Sequence, residues 1–364
     1  MVETVNVLIV DDSDMTREIL RSLLESDPAI RVCGVAENGK QAIDLVQKLK
    51  PNMVIMDINM PVMDGFQATE QIMAYCPTPI LILSSTLNKG GVYTTFNALA
   101  IGAVDVMEKP AMTPNASWSE IGSSLIRKVK LVSQAKVLTH LKGKLRKVAP
   151  LPDSGSIGNL NNYELVCIGA STGGPSVVMR ILKAIPPDYN AAVLVVQHMA
   201  AGFTENFVDW LGSSCKIKIK LAEEEEKVEK GKVLVAPDGF HTIVSKRKTI
   251  RLITGDAVNN VKPSVDVLFN SIAEEYGGHA MGVLLTGMGA DGADGLKRIR
   301  DSGSATIAQS EESCTVFGMP KVAIERGAAV EILSVEDIIN TLLNVHPVVE
   351  RRASSLYMEG LPKA

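Results

Sequence analysis

The sequence contains little that could build a disulfide or metal framework. Its five cysteines are scattered, with no CxxC pair and no His/Cys spacing typical of a metal site. An odd number of scattered thiols is typical of a reducing compartment. A surplus of basic charge is also missing, since the formal net charge is -4. This charge balance argues against a nucleic-acid partner.

Long apolar runs are absent as well. No stretch approaches the ~20 consecutive apolar residues that a membrane-spanning helix needs. Asp11 and Asp12 come too early in the chain to leave room for a signal peptide. Together these absences predict a cytoplasmic protein without direct membrane insertion.

The sequence does contain short apolar runs that alternate with helical patterns. Its 364 residues suffice for two domains of about 100–200 residues each. The first half has strand-like runs such as VNVLIV and MVIMDI, and the second half begins a new set with ELVCIGAS and AAVLVVQH. Between them, APLPDSGSIGNLNN has the composition of a linker. Strands that alternate with helices predict an α/β fold with two mostly parallel sheets.

Polar residues follow four strands of the first half. Asp11 and Asp12 follow the first strand, Asp57 the third, Ser84 the fourth and Lys109 the fifth. The carboxyl ends of parallel strands meet at one edge, where three carboxylates would repel one another without a cation such as Mg²⁺. Strand-end aspartates often serve only as helix N-caps, but this set in register favours a site that accepts a phosphoryl group.

The motifs LIVDDS, MVIMDINMPVMDG, ILSS and EKP resemble those of response-regulator receiver domains. The resemblance implies a flavodoxin-like fold in which Asp57 is the phosphoacceptor. It implies that Asp11, Asp12 and Asp57 bind Mg²⁺. It also implies that Ser84 is the switch hydroxyl and that Lys109 is the cation that senses the phosphate.

The glycine-rich loops of the second half leave two functions open. IGASTGGP misses the G-x-G-x-x-G spacing of a dinucleotide-binding loop. GMGADG, from Gly287 to Gly292, matches that spacing after a strand, and Glu311 lies near the distance expected for a ribose-binding acid. A nucleotide-binding enzyme therefore remains one alternative.

A hydrolytic triad is the other alternative. Ser171, His198 and Asp291 each follow a strand, so they would meet at the carboxyl edge of one sheet. A serine needs a base and an orienting acid to act as a nucleophile. Taken singly, Ser171 could be a helix N-cap, His198 a structural histidine and Asp291 a turn former. Taken together at one edge, the three residues favour the triad.

The motifs IGASTGGP, VVQHM, VLVAPDGFH, PSVDVLFNS and LLTGMGADGADG resemble the catalytic domain of chemotaxis protein-glutamate methylesterases. The resemblance implies Ser171 as the nucleophile, His198 as the base and Asp291 as the orienting acid. It also implies that the backbone N–H near Met288 helps to hold the oxyanion. His241 lies in one of these motifs, but a structural role is favoured for it.

The two resemblances predict how the chain is divided. Residues 5–122 form a receiver domain, 123–159 a linker, 160–348 a doubly wound, mostly parallel α/β methylesterase domain and 349–364 a tail. We hypothesise that the receiver shields the esterase until Asp57 is phosphorylated.

The resemblances also imply a function. The expected enzyme hydrolyses glutamate methyl esters on methyl-accepting chemoreceptors and deamidates specific receptor glutamines. A chemotaxis histidine kinase is the expected phosphodonor, and the esterase reaction itself is expected to need no cofactor. The alternatives are a receiver-controlled nucleotide-binding enzyme and a non-catalytic receptor adaptor.

Overall fold

The computed structural model describes residues 4–84, 96–109, 118–135, 137 and 163–345. The first domain is a parallel sheet with strand order β2-β1-β3-β4-β5. The strands are β1 (Val5–Val10), β2 (Ile30–Ala36), β3 (Met53–Asp57), β4 (Ile80–Ser84) and β5 (Asp105–Glu108). The helices are α1 (Asp14–Glu25), α2 (Gly39–Leu49), α3 (Gly65–Tyr75), α4 (96–100) and α5 (Trp118–Val132). This order confirms the predicted flavodoxin-like fold.

Local sequence signals explain where the helices of the first domain begin. The side chains of Ser13, Asn38 and Asp64 each accept a hydrogen bond from a backbone N–H in the first turn of α1, α2 and α3. The strands are apolar on both faces because helices cover both sides of the sheet. On one side, Leu125 and Val129 of α5 are fully buried in the core that the sheet shares with α1.

The second domain is a seven-stranded, entirely parallel sheet with strand order β14-β13-β12-β6-β7-β9-β8. The strands are β6 (Leu165–Ala170), β7 (Ala192–Gln197), β8 (Lys218–Leu221), β9 (Lys232–Val235), β12 (Ala280–Leu284), β13 (Ala305–Gln309) and β14 (Glu331–Leu333). The antiparallel hairpin strands are β10 (His241–Val244) and β11 (Ile250–Ile253). The helices are α6 (Gly174–Ala184), α7 (Thr204–Ser214), α8 (Val265–Tyr276), α9 (Ala293–Asp301), α10 (Met319–Glu325) and α11 (Val335–Leu343).

Aromatic side chains join the two domains. Phe96 of α4 packs against Phe207 and Trp210 of α7, with ring centroids 5.8 and 5.5 Å apart. The Trp210 Nε1–H donates a hydrogen bond to Asn97 Oδ1 over 3.1 Å. The receiver therefore rests directly on the second domain.

Two of the predictions concern the domain boundaries and insertion into a membrane. The predicted linker and tail fall largely outside the described residues, so the domain boundaries stay a prediction. Within the described ranges, none of the helices combines the length and the apolar character needed to cross a bilayer.

Candidate functional site

An acidic pocket lies at the carboxyl edge of the first sheet. Asp11 follows β1 and Asp57 ends β3, and both are almost completely buried, whereas Asp12 is exposed. Carboxylate oxygens of these three residues lie within 4.8 Å of one another. Oxygen ligands at this spacing suit a hard divalent cation such as Mg²⁺.

Lys109 lies between two of these carboxylates. Its Nζ is 2.7 Å from Asp11 Oδ2 and 2.8 Å from Asp57 Oδ2. Burial alone would lower the pKa of Lys109, but the hydrogen bonds to the two carboxylates outweigh burial and raise it. Burial raises the pKa of Asp57, although Lys109 opposes this shift. Lys109 is therefore charged, and the pocket still carries uncompensated acidic groups.

Two other residues complete the pocket. Ser84 is buried at the end of β4, and its backbone carbonyl accepts a hydrogen bond from the Lys109 N–H over 2.9 Å. Arg17 was not predicted from the sequence. Its buried guanidinium donates to the Asp11 carbonyl over 2.5 Å and pairs with Asp14. Arg17 follows Asp14 by three positions in α1, and this i,i+3 spacing was the available sequence signal.

Ser171 lies in the loop between β6 and α6, at the carboxyl edge of the second sheet. The N-cap of α6 is Gly173, with a left-handed φ of 77°, so Ser171 does not cap this helix. The Ser171 N–H donates to the Thr286 carbonyl over 3.0 Å, which ties this loop to the end of β12. Gly287 follows, and a Cβ there would lie 2.6 Å from Ser171 Cβ. Only glycine lets the two loops approach this closely.

His198 and Asp291 meet at the same edge, although 93 positions separate them. His198 follows β7, and its Nε2 is 2.9 Å from Asp291 Oδ2. Ser171, His198 and Met288 line one cleft of about 460 Å³. The structure thus brings the predicted nucleophile, base, acid and oxyanion loop to one edge of the sheet, and the role of each stays a prediction.

The amino end of α8 holds Asp291. Ser264 Oγ donates to Asp291 Oδ1 over 2.7 Å, and the Val265 N–H donates to Oδ2 over 2.6 Å. Burial alone would raise the pKa of Asp291, but hydrogen bonds from His198, Asn259 and Ser264 outweigh burial and lower it to about 2. A helix amino terminus favours a negative charge. Asp291 is therefore ionised, and it serves as more than a turn former.

Gln197 was also missed at the sequence level. It is buried at the end of β7, and its side-chain amide donates to the carbonyls of Ser171 and His198 over 2.9 and 3.0 Å. One side chain thus fixes the backbone at two of the predicted triad positions. Its place in the sequence, directly before His198, was the only signal.

His241 has the structural role that we expected. It is buried, its Nε2–H donates to the Asp256 carbonyl over 2.9 Å, and its Nδ1 accepts from the Ser264 N–H over 3.1 Å. Because both ring nitrogens are occupied, His241 supports the segment before α8 and takes no part in the cleft.

Comparisons with known proteins match both halves of the chain. The family model described as CheB methylesterase matches residues 166–342, and the response regulator receiver domain model matches residues 7–116. A relative from Syntrophus aciditrophicus (strain SB), named protein-glutamate methylesterase/protein-glutamine glutaminase 1, is 43% identical over 94% of this chain and 98% of its own length. The chain belongs to the CheB methylesterase family.

A second relative and a solved structure are also similar in sequence to this chain. A protein-glutamate methylesterase/protein-glutamine glutaminase from Archaeoglobus fulgidus is 41% identical over 93% of this chain and 97% of its own length. The Thermotoga maritima CheB methylesterase catalytic domain is 38% identical, covers 50% of this chain and 97% of that domain, and gives a TM-score of 0.49.

In this member of the CheB methylesterase family, the receiver forms the other wall of the cleft. Arg127 and Lys128 of α5 line it opposite Ser171. Lys128 Nζ donates to Asp105 Oδ2 over 2.7 Å and to Thr172 Oγ1 over 3.4 Å. One side chain thus bridges the receiver and the residue next to Ser171.

Proposed function

We propose that the chain is a phosphorylation-regulated protein-glutamate methylesterase and protein-glutamine glutaminase that acts on the cytoplasmic helices of chemoreceptors. The observation that carries this proposal is the His198–Asp291 pair, whose histidine lines the same cleft as Ser171. The names of the full-length relatives support the same reaction.

Ser171 is the nucleophile in the proposed reaction. Because His198 Nε2 faces Asp291, Nδ1 is the ring nitrogen left to take the proton from the Ser171 hydroxyl. The Ser171 oxygen attacks the γ-ester carbonyl, and the ionised Asp291 stabilises the imidazolium that forms. The backbone N–H of Met288 helps to hold the oxyanion. His198 then returns the proton to the leaving methoxide, and methanol departs.

Water completes the cycle. It attacks the acyl-enzyme ester, gives its proton to His198 and releases the glutamate carboxylate and Ser171. Deamidation of a glutamine side chain follows the same steps, with ammonia as the leaving group in place of methanol. None of these esterase steps calls on a cofactor.

The acidic pocket of the receiver supports a second chemistry. Asp57 is the proposed phosphoacceptor for a histidine-kinase phosphodonor. Its carboxylate oxygen attacks the phosphorus, and the P–N bond to the donor histidine breaks. Asp11, Asp12 and Asp57 would hold Mg²⁺, whose charge neutralises phosphoryl oxygens in such transfers. Lys109 supplies a second positive charge, and the Ser84 hydroxyl responds to the phosphoryl group.

The shared cleft connects the two chemistries. Arg127 and Lys128 stand where a receptor helix would have to approach Ser171. Phosphorylation of Asp57 therefore has to favour an arrangement in which the receiver leaves this cleft, because a modification shifts only equilibria whose two states it stabilises differently.

Methanol release from a methylated receptor tests the proposal. The intact protein is incubated with receptor-containing membranes, with and without a small-molecule phosphodonor. We expect methanol in both conditions and more with the phosphodonor. Ser171→Ala abolishes release, whereas Ser176→Ala, on the adjoining helix α6, retains it. Normal phosphorylation of Asp57 without any methanol from the parent protein would instead indicate a non-catalytic receptor adaptor.

A further inference from the structure

Asn259 lies in the segment that joins β11 to α8, at the mouth of the cleft. Its backbone has a left-handed φ of 54°, a conformation that asparagine tolerates better than most residues. A turn-forming asparagine needs no other explanation. The contacts of its side chain, however, go well beyond the turn.

One amide group of Asn259 bridges two buried carboxylates. Its Nδ2 donates to Asp291 Oδ1 over 2.9 Å and to Asp266 Oδ2 over 2.8 Å. Asp266 in turn accepts the Gly295 N–H over 2.6 Å through its Oδ1. Two adjacent buried carboxylates repel each other. An amide placed between them donates one hydrogen to each and reduces this repulsion.

The bridge also belongs to a reciprocal arrangement of two helices. Asp291, just before α9, accepts hydrogen bonds from the first residues of α8. Asp266, in the first turn of α8, accepts one from the first turn of α9. Asn259 connects the two carboxylates, and together with Ser264 Oγ and the Asp266 N–H, which also donate to Oδ1, it fixes the rotation of the Asp291 carboxylate about its side-chain axis.

We propose that Asn259 is a positioning residue for the esterase reaction, which holds Asp291 Oδ1 so that Oδ2 faces His198. The inference rests on the proposed function, because it assigns Asn259 a role only through the triad. Asn259 acts on Asp291 and takes no proton itself.

Two variants separate this role from that of a turn former. Asn259→Gly keeps the left-handed backbone without strain and deletes the amide. Asn259→Asp keeps the shape and replaces the donor with a third carboxylate. The matched control is Asn190→Asp, which adds the same charge at an exposed position before β7, at the opposite edge of the sheet. The measured quantities are kcat and KM for methanol release by the intact protein.

We expect both Asn259 variants to lower kcat by about 10- to 100-fold, because a hydrogen bond to a charged group is worth that much. KM should stay within about twofold, since the group acts through Asp291. Asn190→Asp should leave kcat unchanged. Thermal unfolding of all variants reports whether the fold is intact.

The pH profile gives a readout that a turn-forming role would not change. In Asn259→Asp, a carboxyl group between two carboxylates takes up a proton more readily than an ordinary one, and the protonated form can donate a hydrogen bond again. The ratio of its kcat to the parent kcat should therefore rise as the pH falls. The ratio for Asn259→Gly should stay flat.

Three results would overturn the inference. They are a kcat that matches Asn190→Asp, a rise in KM alone, and a flat pH ratio for Asn259→Asp. A Ser171→Ala variant that still releases methanol would overturn the proposed function instead, so the two failures are distinguishable.

Discussion

The two candidate sites occupy the same place in two different sheets, yet their buried carboxylates behave in opposite ways. Asp57 and Asp291 each lie at the carboxyl edge of a parallel sheet, where Asp57 faces the Lys109 ammonium and Asp291 faces the His198 imidazole. Nevertheless the pKa of Asp57 is raised, whereas that of Asp291 is lowered to about 2.

The difference comes from the number of donors that the protein provides. Asp291 accepts hydrogen bonds from a hydroxyl, an amide and the backbone of α8 as well as from His198. Asp57 is paired with Lys109, which it shares with Asp11, and receives the N–H of Ile58. The esterase site therefore neutralises its own charge, and the receiver site leaves a deficit that a metal ion and a phosphoryl group can fill.

The largest expected effect on the difference between the two sites comes from a substitution of Asp291. Asp291→Asn removes the charge that orients and stabilises His198, so methanol release should fall by about 10³- to 10⁴-fold. Phosphorylation of Asp57, followed with a radiolabelled phosphodonor, should be unaffected. A variant that keeps more than a tenth of the parent activity would contradict the assignment of the triad acid.

Asp57→Asn should abolish only the response of the protein to the phosphodonor. Without the acceptor oxygen, the phosphodonor should no longer stimulate methanol release, and the stimulation ratio should fall to one. Basal release should equal that of the unphosphorylated parent protein, because neither protein then carries the phosphoryl group that is proposed to open the cleft. Stimulation that persists in this variant would show that the phosphodonor acts elsewhere.

Chelation of divalent cations tests the difference between the receiver site and the esterase site without a mutation. Excess EDTA should abolish stimulation by the phosphodonor, because Asp57 cannot be phosphorylated when the charge deficit of the pocket is left unfilled. Basal methanol release should not change, since the donors around Asp291 belong to the chain. A parallel loss of basal release would mean that the esterase site also depends on a cation.

The smallest expected effect concerns the bridge between the domains. Lys128→Ala should raise basal methanol release roughly 2- to 5-fold, because it deletes the hydrogen bond from Lys128 to Thr172 across the two domains, and such a bond contributes about 0.5–1 kcal/mol. Lys130→Ala is the control, since Lys130 pairs with Asp27 within the receiver. Equal basal rates of methanol release for the two variants would show that Lys128 does not hold the receiver against the cleft.

The fold was predictable wherever burial leaves a continuous apolar run. The central strands β6, β7 and β12 are buried along their whole length, and their sequences are apolar runs. The edge strands β8 and β14 and the hairpin β10–β11 were not predicted. They are short, and β8 and β14 are partly exposed, so they carry no apolar run that marks them.

The site was predictable in the same limited way. Residues directly after a strand, such as Ser171 and His198, could be placed because topology alone brings them to one edge. The donors to Asp291 could not be placed in this way. Ser264 and Asn259 lie 27 and 32 positions before it, and other donors are backbone N–H groups without any sequence signature. Only Ser264, just before a helical run, gave a signal as an N-cap.

The aromatic contact between the domains gives the chain an optical reporter of its own. The sequence contains two tryptophans, and Trp210 is 2% exposed where it stacks on Phe96. If phosphorylation parts the domains as proposed, this indole should become more exposed to water and its emission should move to longer wavelength. In a Trp118→Phe background, fluorescence therefore follows the parting of the domains in real time, without an attached dye.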